Sequence, residues 1–228
     1  AQLMSQIDHL DLLQYSYNDI AIDLKMKDGC YSGDIQLHDP YGEIDINGAI
    51  KPLGKDAFAN INIDCKEIDL ATLNLLPQAA GNKLSFNLNA NYIGNKIENA
   101  NGYLHINNLF YGNSSDNFRW KQISVENNTT SDQQQITLTS DYINGKVQGQ
   151  FSVQSLAHTM RNMAAQLLPS LITPTESTYP IAEKANDLGW HFTFKPHIKM
   201  AQILNLPFTL TDTARIEGYV GEQNRHMQ

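Results

Sequence analysis

The stretch Ile20-Ala21-Ile22-Asp23-Leu24-Lys25-Met26 places its large apolar residues at even positions, with small or charged residues between them. Successive side chains of a β-strand point to opposite faces, so this period of two predicts a half-buried strand. Asp28-Gly29 follows, and this dipeptide is a strong signal for a two-residue β-hairpin turn. The alternation resumes over 31–37, which predicts an antiparallel partner for the first strand.

The same pattern recurs along most of the chain. Asp39-Pro40-Tyr41-Gly42 predicts a β-turn. Alternation slips by one position at Ile68, which predicts a β-bulge or a strand end, and a short helix is predicted at 71–76. Further strands are predicted at 58–70, 84–92, 103–109, 118–125, 136–142 and 147–153. Asn144-Gly145 predicts the hairpin turn between the last two of these strands.

The hydrophobic period changes near residue 155. Apolar residues then recur three and four positions apart, which predicts an amphipathic helix over 155–171. Residues 173–187 are rich in Pro, Thr and Ser and predict a loop, and 188–228 are expected to begin a following β unit. The predicted fold of 1–172 is therefore mostly β. It is an amphipathic antiparallel sheet, which a second sheet on its apolar face would make sandwich-like, with one helix that closes it.

Composition and motifs exclude several function classes. The formal net charge is -8 and no Lys/Arg cluster is present, which argues against nucleic-acid binding. No apolar run is long enough to span a membrane. The two cysteines, Cys30 and Cys65, are consistent either with one disulfide or with two small buried side chains.

No catalytic motif appears, so the chain is predicted to be non-enzymatic, without a cofactor or a metal. Carboxylates do cluster at Glu43 and Asp45, and at Asp64, Glu67 and Asp69. Paired carboxylates are able to perform acid–base chemistry or to bind calcium. Residues two apart in a strand share a face, however, and here that face is polar and solvated.

A family resemblance rests on Ser140-Asp141-Tyr142-Ile143-Asn144-Gly145-Lys146-Val147-Gln148-Gly149-Gln150-Phe151 and on the helical pattern after it. This stretch resembles the TamB-like proteins of Bacteroidetes-type bacteria, within the wider AsmA-like group. The resemblance implies an internal segment of a long periplasmic protein that is anchored in the inner membrane. It also implies that the sheet is curled into an open taco-like unit with an apolar groove. The implied function is phospholipid transport between the inner and outer membranes, with outer-membrane assembly proteins as partners.

One apolar face follows from the alternation, and it is the candidate lipid-binding groove. Packing as an ordinary core is the alternative for each of its residues, and a structural, glycan-binding or protein-binding β module is the alternative for the chain. The candidate groove residues are Ile20, Ile22, Leu24, Ile44, Ile46, Leu84, Phe86, Leu88, Leu104, Ile106, Ile136, Leu138, Val147, Phe151 and Val153.

Overall fold

The computed structural model describes residues 1–94, 100–130, 133–151, 187–197 and 210–221. These residues form one antiparallel sheet of twelve strands. The strands are β1 (Gln2–Leu12), β2 (Tyr15–Lys27), β3 (Cys30–Asp39), β4 (Gly42–Lys51), β5 (Phe58–Asp69), β6 (Lys83–Ile93), β7 (Asn101–Gly112), β8 (Asn117–Thr129), β9 (Gln134–Ser140), β10 (Ile143–Gln150), β11 (Asp187–Phe194) and β12 (Ala214–Val220).

The sheet is an uninterrupted meander, in which each strand pairs only with its neighbours in sequence. This order follows from the short connections, because a two-residue turn joins only antiparallel neighbours. At the predicted hairpin turn, Asp28 and Gly29 have φ of 51° and 73°, the left-handed values that this turn type requires. The predicted antiparallel β-sheet is therefore confirmed. The described strands form a single open layer rather than a sandwich.

The alternation of strand directions gives the sheet two ends. The cap end carries the connections 13–14, 40–41, 70–82, 113–116 and 141–142. The far end carries the connections 28–29 and 52–57 and the links that follow β6, β8 and β10, whereas the link that follows β11 leaves from the cap end. β11 and β12, which fall in the predicted following unit, pair onto β10 in this same sheet.

Two local predictions are wrong. The turn between β9 and β10 lies at 141–142, and Gly145 lies inside β10 opposite Phe192. A Cβ at Gly145 would overlap the Phe192 ring, so this glycine serves close packing rather than a turn. Residues 71–76 form successive turns instead of a helix, because Asn74 has φ of 55° and ends the helical path. A single 3-10 turn follows at Pro77–Ala79.

Three strands contain a backbone irregularity at Asp19, Glu67 and Asn108, and we call the line of these positions the crease. The predicted slip near Ile68 is confirmed as a register shift between Cys65 and Ile68. At the crease Glu67 has φ of 49°, and Asp19 in β2 and Asn108 in β7 have φ of 49° and 56°. At each irregularity, therefore, the residues that face the apolar side of the sheet change from even to odd numbers or from odd to even numbers. Bulges of this kind bend a strand and increase its twist.

The predicted helix at 155–171 and almost all of the predicted loop at 173–187 lie outside the described residues. The part of the chain that the structure does describe contains no α-helix. It also contains no helix that is long and apolar enough to cross a membrane.

Candidate functional site

The site that the geometry defines is one apolar face of the sheet. Residues opposite each other in an antiparallel pair share a face, so the registers extend the alternation of each strand into rows across the strands. A central row crosses seven strands, from β2 to β8, and it consists entirely of Ile and Leu. Its members are Ile22, Ile35, Ile46, Ile63, Leu88, Ile106 and Ile123.

A second row lies two residues further toward the far end and crosses from β2 to β12. Glycines interrupt it, which lets neighbouring backbones and rings approach closely. Its members are Leu24, Gly33, Gly48, Ile61, Ala90, Leu104, Val125, Leu138, Gly145, Phe192 and Ile216. The apolar face is thus continuous from β2 to the β12 edge of the described sheet.

The predicted groove residues that belong to the described strands all lie on this face. Phe151 follows β10 and is buried against Val147 and Leu188, while Val153 lies outside the described residues. Sequence reasoning missed several members of the same face, although they have the same parity as the residues that it named. The missed residues are Met26, Tyr31, Ile35, Leu37, Ile61, Ile63, Cys65, Tyr92, Ile123, Val125, Trp190 and Phe192.

Burial varies across this face. Every member of the central row is half-buried, although the middle of a two-layer β domain is normally fully buried. Two clusters of buried apolar side chains lie near opposite corners, and Ala90 and Phe118 are buried outside both clusters. One surrounds Ile68 and Leu73 at the cap end, and the other surrounds Phe151 and Leu188 at the far end. The face therefore combines ordinary core packing at its corners with accessible apolar surface in the middle.

The connection 70–82 caps the face at one end of β2 to β5. Leu73 has 0% of its surface exposed and packs in a cluster with Tyr17, Ile20 and Cys65. The Tyr17 hydroxyl donates a hydrogen bond of 2.8 Å to the Leu73 carbonyl oxygen. Asp69 is the last residue of β5, and its carboxylate accepts from the Thr72 N–H of the connection at 2.9 Å. These contacts fix the cap on the sheet.

Asp39 stabilises the two hairpins beside the cap. Its carboxylate is buried and accepts hydrogen bonds from the Tyr15 hydroxyl at 2.8 Å, the Tyr41 N–H at 2.9 Å, and both nitrogens of Asn18 at 3.0 and 3.1 Å. Burial opposes ionisation of Asp39, but these hydrogen bonds outweigh it and lower its pKa. Burial, reinforced by the same carboxylate, raises the pKa of Tyr15 to about 12. The arrangement is a structural network in which the hydroxyl keeps its proton.

Neither cysteine is in a disulfide. Cys65 lies in the apolar cluster with 4% of its surface exposed, and burial raises the pKa of its thiol to about 11. A thiol of this kind is protonated and unreactive near neutral pH. Cys65 is therefore part of the apolar face.

The opposite face of the sheet is polar and holds the predicted carboxylate groups. Lys66 lies 3.2 Å from Asp64, 3.7 Å from Glu43 and 4.0 Å from Asp45, and Glu67 pairs with Lys83 at 2.7 Å. Within the described ranges, no three His, Cys, Asp or Glu residues are placed to hold a metal ion. Glu43, Asp45, Asp64 and Glu67 thus form ion pairs on a solvated surface, where each pair contributes little to stability. Asp69 instead accepts the hydrogen bond from Thr72.

Asparagines connect the strands on this polar face. Asn62 donates to Asn47 at 3.0 Å and accepts from Asn89. In a parallel line, Asn87 donates to Asp64 at 2.7 Å and accepts from Asn108 at 3.1 Å. The two lines explain why the chain is rich in Asn at positions between its apolar residues: the amides satisfy one another across strands.

Comparisons with protein-family models, with curated proteins and with solved structures find no match to this chain.

Proposed function

We propose that this chain is a segment of a TamB/AsmA-like envelope protein, and that its apolar face lines a path for phospholipid acyl chains. The observation that carries the proposal is the half-buried central row of Ile and Leu, from Ile22 to Ile123, in a single open sheet. Large accessible apolar surfaces are rare on soluble proteins and mark sites that bind apolar partners. In this proposal the segment works in the periplasm and supports outer-membrane biogenesis together with outer-membrane assembly proteins.

The dimensions of the face support an acyl-chain ligand. Twelve strands spaced about 4.8 Å apart give the sheet a span of roughly 50 Å, and the apolar rows follow that direction. Acyl chains bound on this surface would remove it from contact with water. That burial would stabilise the complex by on the order of 25 cal/mol for each Å² of apolar surface covered. No polar side chain needs to specify the ligand, so the face would accept lipids by shape and hydrophobicity.

The crease supports a curled, taco-like sheet. Asp19, Glu67 and Asn108 place bulge-like irregularities in three strands, all on the cap-end side of the central row. Because such irregularities bend strands, a line of them would fold one part of the apolar face toward the other. A concave face shelters acyl chains from water better than a flat one.

A structural β module that binds protein or glycan partners is the second candidate. The fully buried Ile68 and Leu73 favour it, because they show that part of the face already packs as ordinary core. The two candidates differ in what occupies the central row: lipid in the first, and only protein or water in the second.

Photocrosslinking at adjacent residues of β6 separates the two candidates. A photoreactive amino acid would replace Leu88 on the apolar face or, as a matched control, Asn89 on the polar face. Mass spectrometry would then detect lipid adducts and lipids extracted from the unmodified protein. Phe86 is less suitable, because it packs against the cap cluster and its replacement would disturb the fold.

The lipid-path proposal predicts phospholipid in the extract and phospholipid adducts at position 88, at least tenfold above position 89. Equal labelling at the two positions, or an extract free of lipid, would leave the structural module as the better description.

A further inference from the structure

A patch of apolar side chains is exposed at the far end of β2 to β5, on the two hairpin tips there. Met26, Tyr31 and Ile50 are consecutive partners across three strands and have 44%, 46% and 37% of their surfaces exposed. Leu53 follows in the 52–57 connection with 79% exposed, the largest value among the exposed large hydrophobic residues of the described chain. These four residues form the apolar part of what we call the far-end patch.

Lysines surround these apolar side chains. The first 55 residues of the chain contain four cationic side chains, those of Lys25, Lys27, Lys51 and Lys55, and no arginine. All four belong to the far-end segments of β2 and β4 or to the connection after β4. The neighbouring cap-end tips at 13–14 and 40–41 carry no lysine. The lysines in this half of the sheet are therefore concentrated at one end, where Asp28 lies on the same hairpin tip as Lys27 and Asp56 lies in the same connection as Lys55.

Part of this positive charge is not neutralised within the described chain. Lys51 pairs with Asp56, and Lys25 lies 4.0 Å from Asp23. Lys27 and Lys55 have no ion-pair partner among the described residues, and we include both in the far-end patch. The patch thus presents two ammonium groups and the exposed carboxylate of Asp28 beside four exposed apolar side chains.

We propose that the far-end patch docks on a bilayer surface that contains anionic lipid. Apolar side chains of an interfacial segment enter the boundary between headgroups and acyl chains, and flanking lysines contact headgroup phosphates. The net charge of -8 excludes a broad electrostatic contact, so docking is local and depends on the apolar side chains. This surface lies outside the central row, and the proposal does not depend on lipid binding there.

Vesicle flotation tests the proposal with the full chain. The probes are vesicles of phosphatidylcholine alone and of phosphatidylcholine with phosphatidylglycerol at a ratio of about four to one. Leu53→Asp tests the apolar contact, and the double variant Lys27→Glu and Lys55→Glu tests the charge. Leu13→Asp is the matched control, since Leu13 is a leucine with 55% of its surface exposed on a hairpin tip at the cap end. Circular dichroism and melting curves confirm that each variant is folded.

We expect the wild type and Leu13→Asp to float equally with the anionic vesicles. Leu53→Asp is expected to lose at least tenfold in partition coefficient, because it replaces the most exposed apolar side chain of the patch by a carboxylate. The lysine variant is also expected to lose at least tenfold, because it replaces two ammonium groups that an anionic surface attracts by carboxylates that it repels. The proposal is overturned if the wild type floats with neither vesicle, or if Leu13→Asp loses as much as Leu53→Asp. It is equally overturned if the patch instead joins two copies of the chain, which sedimentation would reveal as a dimer that Leu53→Asp dissociates.

Discussion

Replacing Leu73 by Ala should test whether the 70–82 connection holds the apolar face closed at the cap end. Leu73 is fully buried, and the hydrogen bond from Tyr17 reaches its backbone carbonyl, so the substitution leaves that bond in place. The change removes three carbon atoms, which is about 2.4 kcal/mol at roughly 0.8 kcal/mol each. A cavity left behind raises the loss toward the usual range of about 2–5 kcal/mol.

Urea and thermal unfolding, followed by circular dichroism, measure this loss. A chain of this size loses roughly 2–4 °C in Tm for each kcal/mol, so a loss of about 3 kcal/mol predicts a decrease of roughly 6–12 °C. Leu75→Ala in the same connection is the control, because 45% of the Leu75 surface is exposed and its change should stay within about 0.5 kcal/mol. Equal losses of unfolding free energy for the two variants, or a loss below about 1 kcal/mol for Leu73→Ala, would refute the conclusion that the 70–82 connection holds the apolar face closed.

Three further predictions concern Asp39, Cys65 and Gly48. The pKa of Asp39 is lowered in the folded state. The ionised carboxylate therefore stabilises the fold fully above the unfolded pKa of about 4, and this stabilisation is lost as pH falls through the folded pKa. Asp39→Asn should cost about 2 kcal/mol of unfolding free energy at pH 7 and should flatten the acid side of a curve of Tm against pH. At pH 8, a thiol reagent should label Cys30 readily and Cys65 only on unfolding, since a pKa of about 11 leaves about one thiolate in a thousand. Gly48→Ala should cost more than about 2 kcal/mol in urea unfolding, because φ there is 157° and a Cβ would overlap the Asn60 carbonyl oxygen.

Each of these predictions has a control and an opposing outcome. If Tm decreases at acid pH as steeply in Asp39→Asn as in the wild type, Asp39 is not the source of the acid sensitivity. Labelling of Cys65 in a folded Cys30→Ser variant would contradict its burial. Gly29→Ala is the control for Gly48→Ala, because Gly29 has φ of 73° and open space around its Cβ position; its expected cost is about 1 kcal/mol. Equal costs for the two glycines would contradict the close approach of β4 and β5.

Short-range patterns were enough to predict the strands and several of their connections. The period of two in 20–26, the Asp28-Gly29 turn and the slip at Ile68 depend on nearest neighbours along the chain, and each was confirmed. Asn144-Gly145 was misassigned because a glycine in this dipeptide is compatible both with a hairpin turn and with close packing inside a strand. Only the opposing strand reveals that the glycine makes room for Phe192 rather than forming a turn.

The amino-acid sequence by itself therefore determined that this chain is an antiparallel β protein with one apolar face, because alternation and turn chemistry are local properties. Tertiary structure alone decided that the described strands stay in one open layer, that Leu73 covers one end of the face, and that the row from Ile22 to Ile123 remains half-buried. The physical reason is that alternation specifies which side chains avoid water, whereas what covers them depends on contacts between residues far apart in the chain. Tyr17 and Leu73 meet across 56 positions, and no local pattern in the sequence encodes that distance.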